Sequence, residues 1–426
     1  MASLSFTEYP SYDAEVLRNK GLIITEDEEL GLAIVRYHKS ENEFVNEKFG
    51  ECNREDPLVR IHRSVIYSMD SKCVVHASTQ RRKSDNSIVL NSLKKENWVV
   101  TPYIDGTMIS IFWYDAKDCW IMSTRSKIHA MNKYMSNQTF RGLFEEGIMN
   151  TLGDKKIDDF LSDLSTIDKK YSYTFVLCHP ENKHVIIAKE PMVYLVQVSE
   201  CVPYTYDSGK MVTRWKPLSY DEMVTIACSI GIPYPVIRTI PEDQILGDYC
   251  RSILTSKMPE GIMLVPSSVN SCMERIRILS NTYENAIRLR GNTPSSRTNI
   301  LRIWGEDPTG DLLREYEGFF PSESDDVHNI MRILHESANE LELYYKNRHV
   351  RKSMEHGDLP HWTRKPIWDI HGIYLREKQP ISKERIMEYY RNKPASFVNK
   401  ILKTREKEIK RDQDRLMLDG ENIVRE

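Results

Sequence analysis

From about residue 60 to residue 280, apolar positions come in runs of four to eight, rich in β-branched and aromatic residues and broken by turn formers. This is the pattern of a strand-rich body. Ile109, Ile111 and Trp113 alternate with Ser110 and Phe112, Asp115 to Asp118 reads as a turn, and Trp120 to Thr124 returns, so a hairpin is predicted directly after Asp105-Gly106. Further strands are predicted at Tyr173 to Cys178, Val185 to Ala188, Met192 to Val198, Ile262 to Val265 and Arg275 to Leu279. Helical periodicity intervenes around Tyr134 to Leu164 and Ser219 to Ile230. The texture changes at the turn-forming cluster 291–296, after which Val327, Ile330, Met331, Leu334, Ala338, Leu341 and Tyr345 recur at three- and four-residue steps. Ser382 opens another helix after Pro380, and Lys400 to Leu418 reads as a mixed-charge, solvated terminal helix. Two domains are expected, 1–292 rich in strands and 297–426 helical.

Composition narrows the classes. Hydrophobic residues at 40% and charged residues at 28% are ordinary globular values, which argues against wholesale disorder. The 59 Lys and Arg against 62 Asp and Glu leave a formal charge of -3, which excludes a simple cationic nucleic-acid coat but allows a local basic groove. The eight cysteines form no C-x-x-C pair and no zinc-finger grouping with histidine, so no metal site is expected and a reducing compartment fits. The first residues lack a secretory leader's basic and apolar regions, and no apolar run approaches the ~18 residues of a membrane span. A cytoplasmic location with no membrane partner is the expectation.

The chemistry is carried by an ordered set of short motifs. Arg63-Ser64 precedes Tyr103-Ile104-Asp105-Gly106-Thr107, then Ser123-Thr124-Arg125-Ser126, then Phe175-Val176-Leu177 ahead of Pro180-Glu181-Asn182, then Glu260-Gly261-Ile262-Met263, then Arg275-Ile276-Arg277. In this order, with a hairpin after Asp105-Gly106, the set resembles that of the bacteriophage-type RNA ligases that repair broken tRNA. These belong to the covalent nucleotidyltransferase superfamily, with DNA ligases and mRNA capping enzymes. The resemblance covers residues 60 to 290 or so. It implies an α+β fold, a nucleotidyltransferase-type antiparallel β core with flanking helices, followed by a helical domain that helps choose the RNA substrate.

The departures matter as much as the matches. The family's first motif is Lys-x-Asp-Gly, whose lysine attacks the α-phosphate of ATP and must be neutral to do so. Tyr103 stands there, and a phenol with an ordinary pKa of about 10 is a poor nucleophile at neutral pH. Lys94 and Lys95 lie beyond the Trp98-Val99-Val100 strand, too far along the chain to substitute directly. Val176 falls where the family carries a glutamate, Arg275 and Arg277 where it carries lysines, and Thr124-Arg125 where it has Ser-Lys-Gly-Ser or similar, while Arg63, Asp105, Gly106, Glu260 and Gly261 match.

The resemblance therefore implies a nucleotide- or RNA-binding set of Arg63, Tyr103, Asp105, Gly106, Arg125, Glu260, Arg275 and Arg277, with Tyr103 at the nucleophile position and no catalytic residue assigned. Guanidinium forks suit phosphate oxygens. Each residue also has an ordinary reading: Tyr103 as a strand tyrosine, Arg275 and Arg277 as a strand's solvent face, Glu260-Gly261 as a turn. The leading reading is a catalytically degenerate RNA ligase-like protein that binds a nucleotide, an RNA end or a capped RNA. Its rivals are an active ATP-dependent RNA ligase with an atypical nucleophile and a ligase-like scaffold in a protein assembly. The implied ligands are ATP or another nucleotide with Mg²⁺, the implied partners RNA and a protein met by the helical domain, and the implied setting a large DNA virus. His179 and His184, bracketing Pro180 to Lys183, read as exposed turn histidines. Trp362 and Trp368 near Arg364 and Lys365 are compatible with RNA stacking, with core and interface packing as the expected role of Trp368 and Tyr374.

Overall fold

The computed structural model describes residues 6–37, 53, 55–78, 81–83, 90–134, 136–267, 274–291, 293 and 295–423. Two of the eight cysteines, Cys52 and Cys272, and Asn292 and Pro294 of the 291–296 cluster lie outside the described residues. The chain forms two compact units, Met1–Asn285 and Ala286–Glu426.

The first unit is α+β. Its strands are β1 (Thr7–Pro10), β2 (Ile23–Asp27), β3 (Leu32–Arg36), β4 (Val65–Ser68), β5 (Val74–Ala77), β6 (Arg81–Lys83), β7 (Trp98–Pro102), β8 (Thr107–Tyr114), β9 (Cys119–Thr124), β10 (Tyr171–Cys178), β11 (Met192–Thr205), β12 (Met211–Pro217), β13 (Gly261–Pro266) and β14 (Arg275–Leu279). They make three sheets, ordered β1-β12-β11-β10-β8-β9, β6-β14-β13-β7 and β2-β3-β4-β5. Every pairing is antiparallel except β14 with β6.

The predicted β8–β9 hairpin is present, turned by Asp115–Lys117 and a left-handed Asp118. Its alternation does not separate core from solvent, because both faces are covered. Ile109 and Ile111 pack with Phe144, Phe160 and Tyr220 from flanking helices, while Phe112 packs with Leu32, Ile34 and Ile66 of the β2–β5 sheet. The helical stretch expected from Tyr134 to Leu164 is two helices, Phe140–Leu152 and Ile157–Ile167, split where Gly153 takes a left-handed φ of 67°. A third helix, Tyr220–Ser229, begins at a Ser219–Glu222 capping box. The β-branched run Val185 to Ala188 is not a strand. The Ile186 amide donates to the Asp105 carboxylate at 2.9 Å, and Ile186 and Ile187 are exposed.

The second unit is helical among the described residues, with helices Ser296–Glu306, Asp311–Phe319, Ser324–Tyr345, His361–Glu377, Lys383–Arg391 and Ala395–Ile423. The 327–345 stripe is buried as its spacing demands, apart from a half-buried Met331, and Ile333 and Ser337 join it. The last helix is less solvated than its charges suggest. Leu402 is fully buried, and Arg405 is packed against Glu340 and Glu336 of the longest neighbouring helix. Trp368 is not a core residue: it is 71% exposed with Lys365 over its ring. Among the described residues no helix is long and apolar enough to cross a membrane.

Candidate functional site

The chain after β7 carries the first motif. Tyr103 leaves β7 with its amide donating to the Gly261 carbonyl at 2.9 Å. A Cβ on Gly261 would stand 2.4 Å from Leu279 Cδ2, 2.9 Å from the Ile278 carbonyl oxygen and 3.2 Å from Tyr103 Cβ. Only glycine lets β13 start so close to Tyr103. Gly106 is confined in the same way: its Cβ would meet the Leu177 carbonyl oxygen at 2.3 Å and Val176 Cγ1 at 2.7 Å. The two Gly-containing motifs thus wedge the chain between β10, β13 and β14.

Tyr103 sits edge-to-face on Tyr283 at 5.8 Å, with the Arg277 guanidinium 5.5 Å from its ring centre. Asp105 points away from solvent, its side chain 5% exposed. Its carboxylate accepts from the Ile186 amide, lies 3.6 Å from His184 Nδ1 and takes a hydrogen bond from Tyr283. Burial, then the neighbouring Tyr103 and Asp105, push the Tyr283 hydroxyl far above its ordinary pKa, so it stays a donor. Asn182 donates to Thr107 at 2.7 Å, and His184 Nε2 is 3.3 Å from the same hydroxyl. The two histidines read as exposed are therefore anchors: His179 is only 4% exposed, against Glu146 at 3.0 Å.

Above this latch a cleft opens, floored by Tyr103, Ile104 and Gly106 and entered by Arg63. One wall is Met108, Thr174 and Val176 of β8 and β10, with Val196 and Gln197 of β11; the other is Thr101, Met263, Val265 and Arg275 of the β13-centred sheet. Ser219 and Tyr220 close one end with the start of their helix. The β11 contribution comes from a bulge. Thr174 pairs with Gln197 and Phe175 with Leu195, so Val196 is an extra residue, and Val196 and Gln197 both face the cleft.

Arg63 is 5% exposed, with Nη2 3.9 Å from Met108 Sδ. Arg275 donates to the Val196 carbonyl at 2.9 Å, and burial lowers its pKa to about 10, which leaves it charged at neutral pH. Gln197 is 2% exposed, and neither its Nε2 nor its Oε1 has a hydrogen-bond partner. No lysine lines the cleft among the described residues.

Of the residues named from sequence, the structure brings Arg63, Tyr103, Gly106 and Arg275 to the cleft, sets Asp105 and Arg277 against its floor, and pairs Glu260 with Arg238 at 3.5 Å. Arg125 is exposed in the turn after β9 and is not part of the lining. Sequence reasoning missed Gln197, Thr174 and Met108, and it predicted the helix from Ser219 without placing its start at the cleft. For that helix the Ser-x-x-Glu capping pattern was the available signal. Among the described residues no three His, Cys, Asp or Glu side chains group as metal ligands. The nearest carboxylates, Asp105 and Glu260, are occupied by Ile186 and Arg238. The floor fits a phosphate-bearing ligand better than a protein-held Mg²⁺.

Solved structures similar to this chain include a putative ATP-dependent DNA ligase from Aquifex aeolicus, at 13% identity and a TM-score of 0.41, covering 73% of this chain and 71% of that one. An archaeal ATP-dependent RNA ligase is similar at 11% identity and a TM-score of 0.41, covering 75% and 73%. An RNA ligase mutant of Naegleria gruberi with ATP and Mn is similar at 12% identity and a TM-score of 0.34, covering 50% and 59%. No family profile and no curated protein matches the chain.

Proposed function

We propose that this protein is a catalytically degenerate relative of the bacteriophage-type RNA ligases, one that holds a nucleotide or the phosphate-bearing end of an RNA, capped or not, without forming a covalent nucleotidyl adduct. The observation that carries this reading is Tyr103 on the cleft floor with no lysine among the described lining residues. Lysyl transfer needs a neutral amine within reach of the α-phosphate, and the lining offers a phenol and guanidinium groups instead. Val176, at the position matched to a family glutamate, turns a methyl group toward Gly106. A carboxylate that would contact a nucleotide or its metal is absent from that point of the wall. Arg63 and Arg275 supply charge-assisted donors for phosphate.

The test is incubation of the full chain with α-labelled ATP or GTP and Mg²⁺, followed by denaturation. No acid-stable label is expected, and none with Tyr103→Lys, since that change leaves Val176 in place. Label mapping to any residue would establish the rival reading, an active ligase with an atypical nucleophile. Failure to bind nucleotide or RNA at all would leave a scaffold. We assign residues 1–292 to the ligase-like domain and 297–426 to a helical domain that selects the RNA or protein partner.

A further inference from the structure

We propose that Gln197 reads the base of the bound nucleotide and selects adenine, an inference that rests on the cleft being a nucleotide site. Burying a primary amide with neither end bonded is unfavourable, and such groups are rare in folded proteins. Gln197 is such a group, 2% exposed, with both Nε2 and Oε1 unpartnered, on the wall of the cleft. The bulge at Val196 is what places it there: two successive residues of β11 face the cleft where regular pleating would admit one.

Three of the neighbouring hydroxyl groups already donate elsewhere. Thr101 Oγ1 donates to the Met263 carbonyl at 3.4 Å, Tyr220 to the Pro235 carbonyl at 2.7 Å, and Ser219 Oγ to Glu222 at 2.7 Å. Met108, Val176, Met223 and Met263 offer thioether and methyl surface suited to the flat face of an aromatic ring. Gln197 thus presents one donor and one acceptor, side by side, within a largely apolar slot.

Adenine complements that pair on either edge, through N6–H with N7 or N6–H with N1, and glutamine-to-adenine is a favoured bidentate pairing. Guanine's N7 and O6 are two acceptors and suit an arginine. Its N1–H and O6 can pair with an amide, but that leaves the N2 amine needing an acceptor that Gln197 does not supply. Cytosine matches the amide but brings a single ring, with less surface to bury against the methionines.

The experiment measures binding of ATP, GTP, CTP, purine riboside triphosphate and inorganic tripolyphosphate to the full chain and to Gln197→Met, which keeps the length and removes both hydrogen-bonding atoms. The wild type should bind ATP about 10- to 100-fold more tightly than GTP or purine riboside triphosphate. In Gln197→Met, ATP should fall to the level of purine riboside triphosphate while tripolyphosphate binding stays unchanged. The ligand-free variant should melt no lower than wild type, because an unpaired buried amide has been removed. Equal wild-type affinity for ATP and purine riboside triphosphate needs no variant and overturns the proposal, as does a preference for CTP or a base preference that survives Gln197→Met; nucleotide binding itself would still stand. Absence of binding by every nucleotide overturns both readings.

Discussion

Arg275 and Arg277 are separated by one residue on β14, yet the structure predicts different losses when each becomes alanine. Arg277 lies over the Tyr103 ring, and its buried Nε has no hydrogen-bond partner. Its removal costs a cation–π contact of about 0.5–1 kcal/mol in stability. If it meets a phosphate, removal also costs about 1.5–3 kcal/mol of binding, a factor of roughly 10 to 150. Arg275 donates to the carbonyl of Val196, which sits in the β11 bulge. Arg275→Ala leaves that oxygen without this partner, at about 1–3 kcal/mol of folding stability. It should also blunt base selection, since the bulge aims Gln197. Arg277→Ala should therefore lose affinity with nearly wild-type urea stability, whereas Arg275→Ala should lose both. The assay is fluorescence anisotropy with a single-stranded RNA bearing a 5′-phosphate, titrated at salt between about 50 and 200 mM, with each lost phosphate contact expected to remove roughly 0.7 from the log–log salt slope. A double variant that binds with wild-type affinity and an unchanged slope would refute phosphate contact by these arginines. Equal stability of the two single variants would refute the bulge argument.

Three further outcomes are expected. A chain ending after Arg290 should stay folded and keep nucleotide binding, because every cleft residue precedes that point, but should lose selectivity among RNA or protein partners; unchanged RNA affinity and preference would move the partner site to the strand-rich unit. In the helical unit, Glu323 accepts from Arg290 at 2.7 Å and from Tyr316, with the two charged side chains 6% and 2% exposed. Glu323→Leu should cost about 3–5 kcal/mol by urea denaturation, and adding Arg290→Met should recover most of it, because the single change strands a buried charge. Asp307, held at about 2 chiefly by the Leu312 amide, then by Thr309, lies below its ordinary 3.8. Its stabilising effect is full above pH 4 or so and lost as pH falls toward 2, so thermal melts of Asp307→Asn should show a flatter dependence across that window.

The parts legible in the sequence were those set by local pattern. The β8–β9 hairpin follows from alternation and a turn, and the 327–345 helix from a sustained apolar step. The order of the motifs was enough to bring Tyr103, Gly261 and Arg275 together. What failed depended on partners distant in sequence. Val185 to Ala188 has strand composition, but the Ile186 amide is taken by Asp105, eighty-one residues away. His179 looks like a surface turn residue until Glu146 of the Phe140–Leu152 helix packs against it. Gln197 is one polar residue in an apolar run, and nothing local reveals that Val196 bulges or that both faces of the sheet are covered.

The residues that match the RNA-ligase motif pattern and those that depart from it also sort by physical role. Gly106 and Gly261 are held by backbone contacts that any side chain would violate, and Asp105 by the loop and the tyrosine it ties down. These three would be needed to build the cleft whether or not any phosphoryl transfer took place there, so an intact Asp-Gly and Glu-Gly framework is weak support for catalysis. The informative positions are those where the side chain departs from the motif or is left unsatisfied. At two of them, Tyr103 and Val176, the side chains are a phenol and an isopropyl group where the resembling family carries an amine and a carboxylate. At Gln197, by contrast, a polar side chain is kept buried with its hydrogen-bonding capacity unspent. On the proposed reading, a phenol at the nucleophile position and a buried amide with its hydrogen-bonding capacity unspent suit recognition, so the discriminating measurement is base preference in binding rather than turnover.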